Sequence, residues 1–189
     1  FGSVSSPIGT QITQAVGFTP STNDSDDVKS LRASLLQTQA RLGDEQAKKA
    51  AAELAAKYLQ DPSSVDGSLG NEALRAAAAN GDAGLYDLLE KKLDSAATPQ
   101  LYFQYLMALT AFREPKLIDR SLEKMISPQM REQDVNSFLG GLLRNPEARD
   151  RAWKFLQDHW SELKGKIVSF GGSGSIMALG GYCSAEKEK

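Results

Sequence analysis

Cysteine and histidine are nearly missing from this chain: Cys183 and His159 are the single examples of each in 189 residues. One cysteine excludes an intrachain disulfide and leaves the redox compartment undetermined. A protein zinc site draws three or four ligands from Cys, His, Asp and Glu, and one imidazole with one thiol makes no such cluster, so no cofactor is expected within these residues. A surplus of one charge is lacking too. The 22 Lys+Arg against 24 Asp+Glu leave a net charge of −2. Proteins that meet a polyanion show a basic face or stripe, and no nucleic-acid partner is expected. No stretch reaches the roughly 18–20 apolar residues of a membrane span. Nor does any run alternate apolar and polar residues as a half-buried strand does. The opening "FGSVSSPIG" has neither an initiator Met nor the basic-then-apolar profile of a signal peptide, and it reads as cut from something longer.

What remains is helix. Hydrophobic residues at 41% and charged residues at 24% are globular proportions. After a polar lead-in, Val28, Leu31, Leu35 and Leu42 are spaced by three, four and seven as one helix face, with acid at Asp24 to Asp27 and a terminating Gly43. A second helix carries Ala47, Ala51, Leu54 and Tyr58 and closes at Pro62; its alanines allow close helix approach. A third spans about Asn71 to Asn80, and a fourth follows Gly81-Asp82. Thr98 caps a fifth helix with Pro99 as its first residue, bearing Tyr102, Tyr105, Leu106, Leu109 and Phe112. Pro115 starts the next (Leu117, Ile118, Leu122, Met125), and Ser127-Pro128 turns the chain into another with Val135, Phe138, Leu139 and Leu142. Pro146 starts the last long helix, whose stripe is Trp153, Leu156, Trp160 and Leu163.

Two phrases recur 31 residues apart: "REPKLIDRSLEKM" from Arg113 and "RNPEARDRAWKFL" from Arg144. Turns at Gly43-Asp44, Gly81-Asp82, Glu114-Pro115 and Asn145-Pro146 each separate two helices. The repeating unit is therefore a helical hairpin of roughly 30–40 residues, too small to bury its apolar face alone and stabilised by stacking. The fold expected is all-α, a curved right-handed stack of antiparallel hairpins similar to HEAT or armadillo repeats. It forms one domain over 1–189: lead-in 1–23, hairpins 24–165, and a Gly-rich loop with truncated last helices over 166–189.

Asp119-Arg120 and Asp150-Arg151 recur in second helices. They read either as charges lining a concave groove for a peptide or as rungs of a ladder between repeats, and the bidentate habit of Arg with carboxylate favours the ladder. Trp153 and Trp160, seven apart, read as core rather than as an aromatic platform. His159 lies off that stripe and reads as a solvated or capping residue. The "GGSGS" loop, Gly171 to Ser175, lacks the Gly-Lys-Ser/Thr ending of a phosphate loop and reads as a connector. There is no Gly-x-Ser-x-Gly elbow, and Cys183 reads as an inert thiol.

The C-terminal third also carries a family's phrasing. Asn145-Pro146, then Ala152-Trp153-Lys154-Phe155-Leu156, Trp160, a Gly/Ser segment and Cys183-Ser184-Ala185-Glu186 follow in order. Upstream, "LRASLLQTQARLGD", "TPQLYFQYLMALTAFREPKLIDRSLEKMIS" and "MREQDV" fit as well. Over Leu31 to Glu186 the chain resembles the C-terminal helical domain of the gluzincin-type zinc aminopeptidases, the family of aminopeptidase N and of the puromycin-sensitive and endoplasmic-reticulum aminopeptidases. The family's catalytic motifs, His-Glu-x-x-His and Gly-x-Met-Glu-Asn, do not occur; none of Met107, Met125, Met130 or Met177 precedes Glu-Asn. The resemblance thus implies a non-catalytic domain whose zinc belongs to an absent catalytic domain. Its implied partners are that catalytic domain and, through the concave face, peptide substrates. Arg120, Lys124, Arg151 and Lys154 are the chamber-lining candidates. A free-standing HEAT-like interaction scaffold is the alternative.

Overall fold

Local capping chemistry divides the chain into helices almost residue by residue in a computed structural model that describes residues 15–21 and 23–169. The Gly171 to Ser175 loop, Met177, Cys183 and the Cys183-Ser184-Ala185-Glu186 motif lie outside the described residues, as does most of the lead-in. Helix α1 (Asp26–Leu42) begins where the Ser25 hydroxyl accepts from the Val28 N–H, and it ends at Gly43 with φ 95°, a left-handed value that glycine adopts without penalty. Asp44 caps α2 (Glu45–Gln60) by accepting from Ala47 N–H at 2.8 Å. Asp61 caps one 3₁₀ turn, Pro62–Ser64. Asp66 accepts from both Ser68 and Leu69 and opens α3 (Gly67–Ala79); Asp82 opens α4 (Ala83–Asp94). Thr98 accepts from Leu101 N–H at 3.2 Å, with Pro99 leading α5 (Pro99–Leu109). Pro115 likewise leads α6 (Pro115–Ile126), followed by α7 (Glu132–Arg144), α8 (Arg149–Asp158) and α9 (Trp160–Ser169). No strand occurs among the described residues. The fold class is all-α, with the four expected turns lying between α1 and α2, α3 and α4, α5 and α6, and α7 and α8.

Three expectations give way to local physics. Helix α3 starts at Gly67 rather than Asn71, because the Asp66 carboxylate satisfies two of its first backbone donors. The last helix is two pieces. Pro146 sits in a turn ahead of α8, and the chain breaks again at His159, leaving Trp160 47% exposed at the start of α9 while Leu163 is fully buried. On α1 the buried face is Arg32, Ala33, Leu36, Gln39 and Ala40, whereas Leu31 and Leu42 are exposed. Small side chains face the neighbouring helices there, and close approach outweighs the burial of those two leucines.

The chain divides into two compact units, Phe1–Ala108 and Leu109–Lys189. In the first, α1, α2 and α3 each pack on the other two. Their interface alternates alanine (Ala40, Ala47, Ala51, Ala73) with Leu36, Leu54 and Leu74, all closed to solvent or nearly so. Gly70 on α3 is required by this packing: a Cβ there would lie 2.4–2.7 Å from the ring of buried Tyr58 on α2. The Tyr58 hydroxyl then donates to Gln104 Oε1 on α5 at 2.7 Å. In the second unit α6 packs on α7 and α8, α7 on α8 and α9, and α8 on α9. Each helix thus touches the next and the next but one, the pattern of stacked hairpins in an α-solenoid. Phe112, Ile118, Met125, Phe138 and Leu139 fill the space between them.

Ahead of α1, buried Arg32 gathers the lead-in. Its guanidinium donates to the carbonyls of Val16 and Gly17 and to the carboxylate of Asp24. Asp24 also accepts from Ser21 N–H at 2.8 Å. The Arg32 hydrogen bond, followed by the Ser21 one, holds the Asp24 carboxyl below its ordinary value of 3.8.

Two outcomes follow from this packing. Gly70→Ala should destabilise the protein by about 1–3 kcal/mol in urea unfolding, since the Tyr58 ring cannot yield without disturbing Gln104. Gly165→Ala on α9, where an added Cβ meets nothing within 4 Å, should instead stabilise by roughly 0.5–1 kcal/mol. As for acid, a depressed carboxyl contributes stability above its unfolded value and loses it as pH falls through the folded one. Amide exchange at Ser21, whose N–H donates to Asp24, should therefore accelerate as pH drops below 3.8 beyond the intrinsic chemical trend, and Asp24→Asn should remove that dependence.

Candidate functional site

The repeated phrase marks two successive corners, Thr110 to Glu114 between α5 and α6 and Asn145 to Ala148 between α7 and α8. Asn145, 9% exposed, joins them. Its Nδ2 donates to the carbonyl of Thr110 at 2.9 Å and to that of Phe112 at 2.8 Å. Its Oδ1 accepts from Glu147 N–H at 3.1 Å. One buried amide thus uses both donors on the preceding corner and its acceptor on its own turn. Ser121, fully buried on α6, adds a bond from its hydroxyl to the Leu109 carbonyl at 3.2 Å. At the start of α7, Arg131 Nε donates to buried Asp134 at 2.8 Å, which places two residues of the "MREQDV" motif in one contact.

The second helices of adjacent hairpins, α6 and α8, carry the charged residues singled out from the sequence. Arg151 Nη1 reaches both oxygens of Asp119, at 2.9 and 3.1 Å. This is one rung of the expected ladder, with its Asp from one repeat and its Arg from the next. Both side chains are about half exposed, so solvent screens the pair and its worth is ~0–1 kcal/mol. The joint is held by the buried Asn145 bonds and by the apolar core, while the Ser121 bond lies within the α5–α6 hairpin. Lys154 pairs within its own helix, with Asp158 at 2.9 Å; Arg120 and Lys124 are half-buried on α6. These four cations therefore occupy two neighbouring second helices. Trp153 is half-buried, and the His159 ring stacks on Phe155 at 4.2 Å with Nδ1 3.6 Å from Glu162. The capping role expected of His159 is what its position after α8 gives it.

In the first unit a groove of about 800 Å³ runs between second helices α2 and α4, floored by Ala52, Ala55 and Ala56. A cleft of about 330 Å³ lies between first helices α3 and α5. Burial pushes the Tyr58 phenol above its ordinary value beside that cleft, the Gln104 bond only partly offsetting it, so the hydroxyl stays protonated and donating at neutral pH. Sequence reading did not find this cleft. Its polar residues are scattered over two helices, and only a three-dimensional packing brings them together.

Among the described residues no group of three or more His, Cys, Asp or Glu is placed to hold a metal ion. No described helix is long and apolar enough to cross a membrane. The described residues form stacked helical hairpins, an α-solenoid-like domain. The family comparison agrees: the ERAP1-like C-terminal domain matches residues 7–188, and the chain belongs to that family. Similar proteins include Aminopeptidase M1-C of Oryza sativa subsp. japonica, 29% identical over 110 residues, 54% of this chain and 12% of that protein. Probable aminopeptidase 1 of Saccharolobus solfataricus is 27% identical over 89 residues, 44% of this chain and 11% of that protein. Aminopeptidase 2, mitochondrial, of Saccharomyces cerevisiae is 28% identical over 85 residues, 43% of this chain and 9% of that protein. The matches thus cover only about a tenth of each relative's length.

The buried and exposed contacts of the α6–α8 joint should separate cleanly on mutation. Asn145→Ala, which strips two buried carbonyls of this donor, should cost about 2–3 kcal/mol in denaturant unfolding. Asp119→Asn should cost under about 1 kcal/mol.

Proposed function

We propose that this chain is the non-catalytic C-terminal domain of a zinc-dependent aminopeptidase, and that it caps the catalytic domain and shapes the chamber that admits peptides. The observation that carries this reading is the family match over residues 7–188, supported by partial likeness to three aminopeptidases. In the intact enzyme, zinc in the catalytic domain would supply an activated water for attack on the N-terminal peptide bond. This chain's own residues contribute surface and charge. Arg120, Lys124, Arg151 and Lys154, on two adjacent second helices, are the groups that would meet the peptide beyond its reacting end. Cations that keep part of their side chain in solvent steer an acidic or carbonyl-rich chain without gripping it.

The coding sequence upstream of Phe1 should contain His-Glu-x-x-His within several hundred residues; its absence would favour a free-standing HEAT-like scaffold instead. In the full-length enzyme, the double variant Lys124→Glu/Arg151→Glu should change kcat/KM for long peptides. It should leave that for a single-residue aminoacyl anilide within about twofold. Equal losses on both substrates would contradict a role confined to the chamber wall.

A further inference from the structure

Two surfaces of the first unit complement each other, a ridge on α1 and the groove between α2 and α4. Val28, Leu31, Leu35 and Leu42 follow one another by three, four and seven residues along one side of α1. Leu31 is 41% and Leu42 55% exposed, with Val28 and Leu35 half-buried, so this stripe flanks the packed face of α1 rather than joining it. The groove has its own exposed leucine, Leu88 on α4. Three of the five exposed large apolar side chains among the described residues therefore fall in the ridge or the groove, a concentration that marks contact surface.

The groove follows α2 over all 16 of its residues, Glu45 to Gln60, and α4 from Leu85 through Leu88 to Lys92. At 1.5 Å per residue that is about 24 Å, against about 25 Å for the 17 residues of α1. Exposed Ala52 and Ala56 beside buried Ala55 give a floor of methyl groups. Such a floor leaves room for leucines of another helix, anchored at i, i+3 or i+4 and i+7. Charge fits as well. Lys48 is paired with Glu45 at 2.8 Å, and Asp82 is engaged as the cap of α4. Exposed Lys49 and half-buried Lys92 carry the groove's remaining charge, which is positive. Helix α1 opens with exposed Asp26 and Asp27; Asp26 shares its charge with Lys29 at 3.0 Å, whereas Asp27 enters no ion pair among the described residues.

We propose that α1 of one copy of this chain lies in the α2–α4 groove of a second copy, with Leu31, Leu35 and Leu42 over the alanine floor and Leu88, and Asp27 toward Lys49 or Lys92. Ridge and groove are different surfaces, so the contact is heterologous. Each copy at the end of an assembly keeps one of the two free, and association proceeds head to tail instead of stopping at a symmetric pair. This goes beyond the aminopeptidase reading and does not rest on it.

The test is sedimentation equilibrium of the 189-residue chain from about 5 to 500 µM. Weight-average mass should rise with concentration and pass that of a dimer. Leu31→Glu/Leu42→Glu, which spoils the ridge, and Ala52→Glu/Leu88→Glu, which spoils the groove, change exposed residues. Each should stay monomeric over the same range with its far-ultraviolet circular dichroism unchanged. An equimolar mixture of the two variants retains one intact ridge and one intact groove, and should form a 1:1 complex that stops at two copies. Raising the salt from about 50 to 500 mM should weaken association several-fold. If either double variant fails to fold, Leu31→Glu and Leu88→Glu take their places in the mixture. A chain that stays monomeric throughout would overturn the proposal and leave the groove to a helix of another protein. So would association that ends at a dimer, or a mixture of variants that stays monomeric.

Discussion

Asn145 places both of its amide hydrogens on the carbonyls of a corner that lies 33 and 35 residues earlier in the chain. The stacking of the second unit depends on that contact. A helical hairpin presents one apolar face and cannot bury it against itself, so each hairpin needs its neighbour. Apolar surfaces between helices slide and rotate at modest cost, because burial is non-directional. A buried amide that must satisfy two fixed carbonyls is directional. It fixes the register in which α6, α7 and α8 pack, with Ile118, Leu122, Leu139, Leu142 and Leu156 buried among them. The exposed Asp119–Arg151 pair, screened by water, follows that register rather than creating it.

The first unit solves the same problem with small residues. Alanines on α1, α2 and α3 bring backbones close, and Gly70 accepts the Tyr58 ring where no Cβ can stand. Tyr58 then extends from this contact to Gln104 on α5. One side chain thereby couples dense helix packing to the wall of the α3–α5 cleft, so the orientation of a polar group at the surface is determined by a contact in the interior. The alanine-floored groove between α2 and α4 has the same origin, since small side chains that permit close approach on one face leave a shallow trough on the other.

Much of this was legible in the amino-acid order. Capping side chains at Asp44, Asp82 and Thr98, the left-handed Gly43 and the leading prolines Pro99 and Pro115 are local signals, and each sits at the helix end it implies. The recurrence of Arg-x-Pro with Asp-Arg at a fixed interval pointed to equivalent corners, and the ladder between repeats could be anticipated from it. Other features were not legible because they depend on contacts distant in sequence. Arg32 looks like a surface residue on a helical wheel, yet it is buried, because carbonyls of Val16 and Gly17 return to meet it. The break at His159 splits a stripe that periodicity alone would extend to Leu163, and it leaves Trp160 in solvent. The role of Asn145 is invisible in a pattern that records it only as the residue before a proline. The cleft that brings residues of α3 and α5 together has no sequence signature at all.

Adjacent hairpins of the second unit, joined at their corners, should open as one cooperative body. Native-state hydrogen exchange measures this most directly, through the opening free energies of the amides of Ile118 and Leu122 on α6, Leu139 and Leu142 on α7, and Leu156 on α8. A common value for all five, changing together with denaturant, is the expected result. Opening of α8 at a much lower free energy while α6 and α7 stay protected would contradict it, and would show that the corner contact does not bind the repeats together.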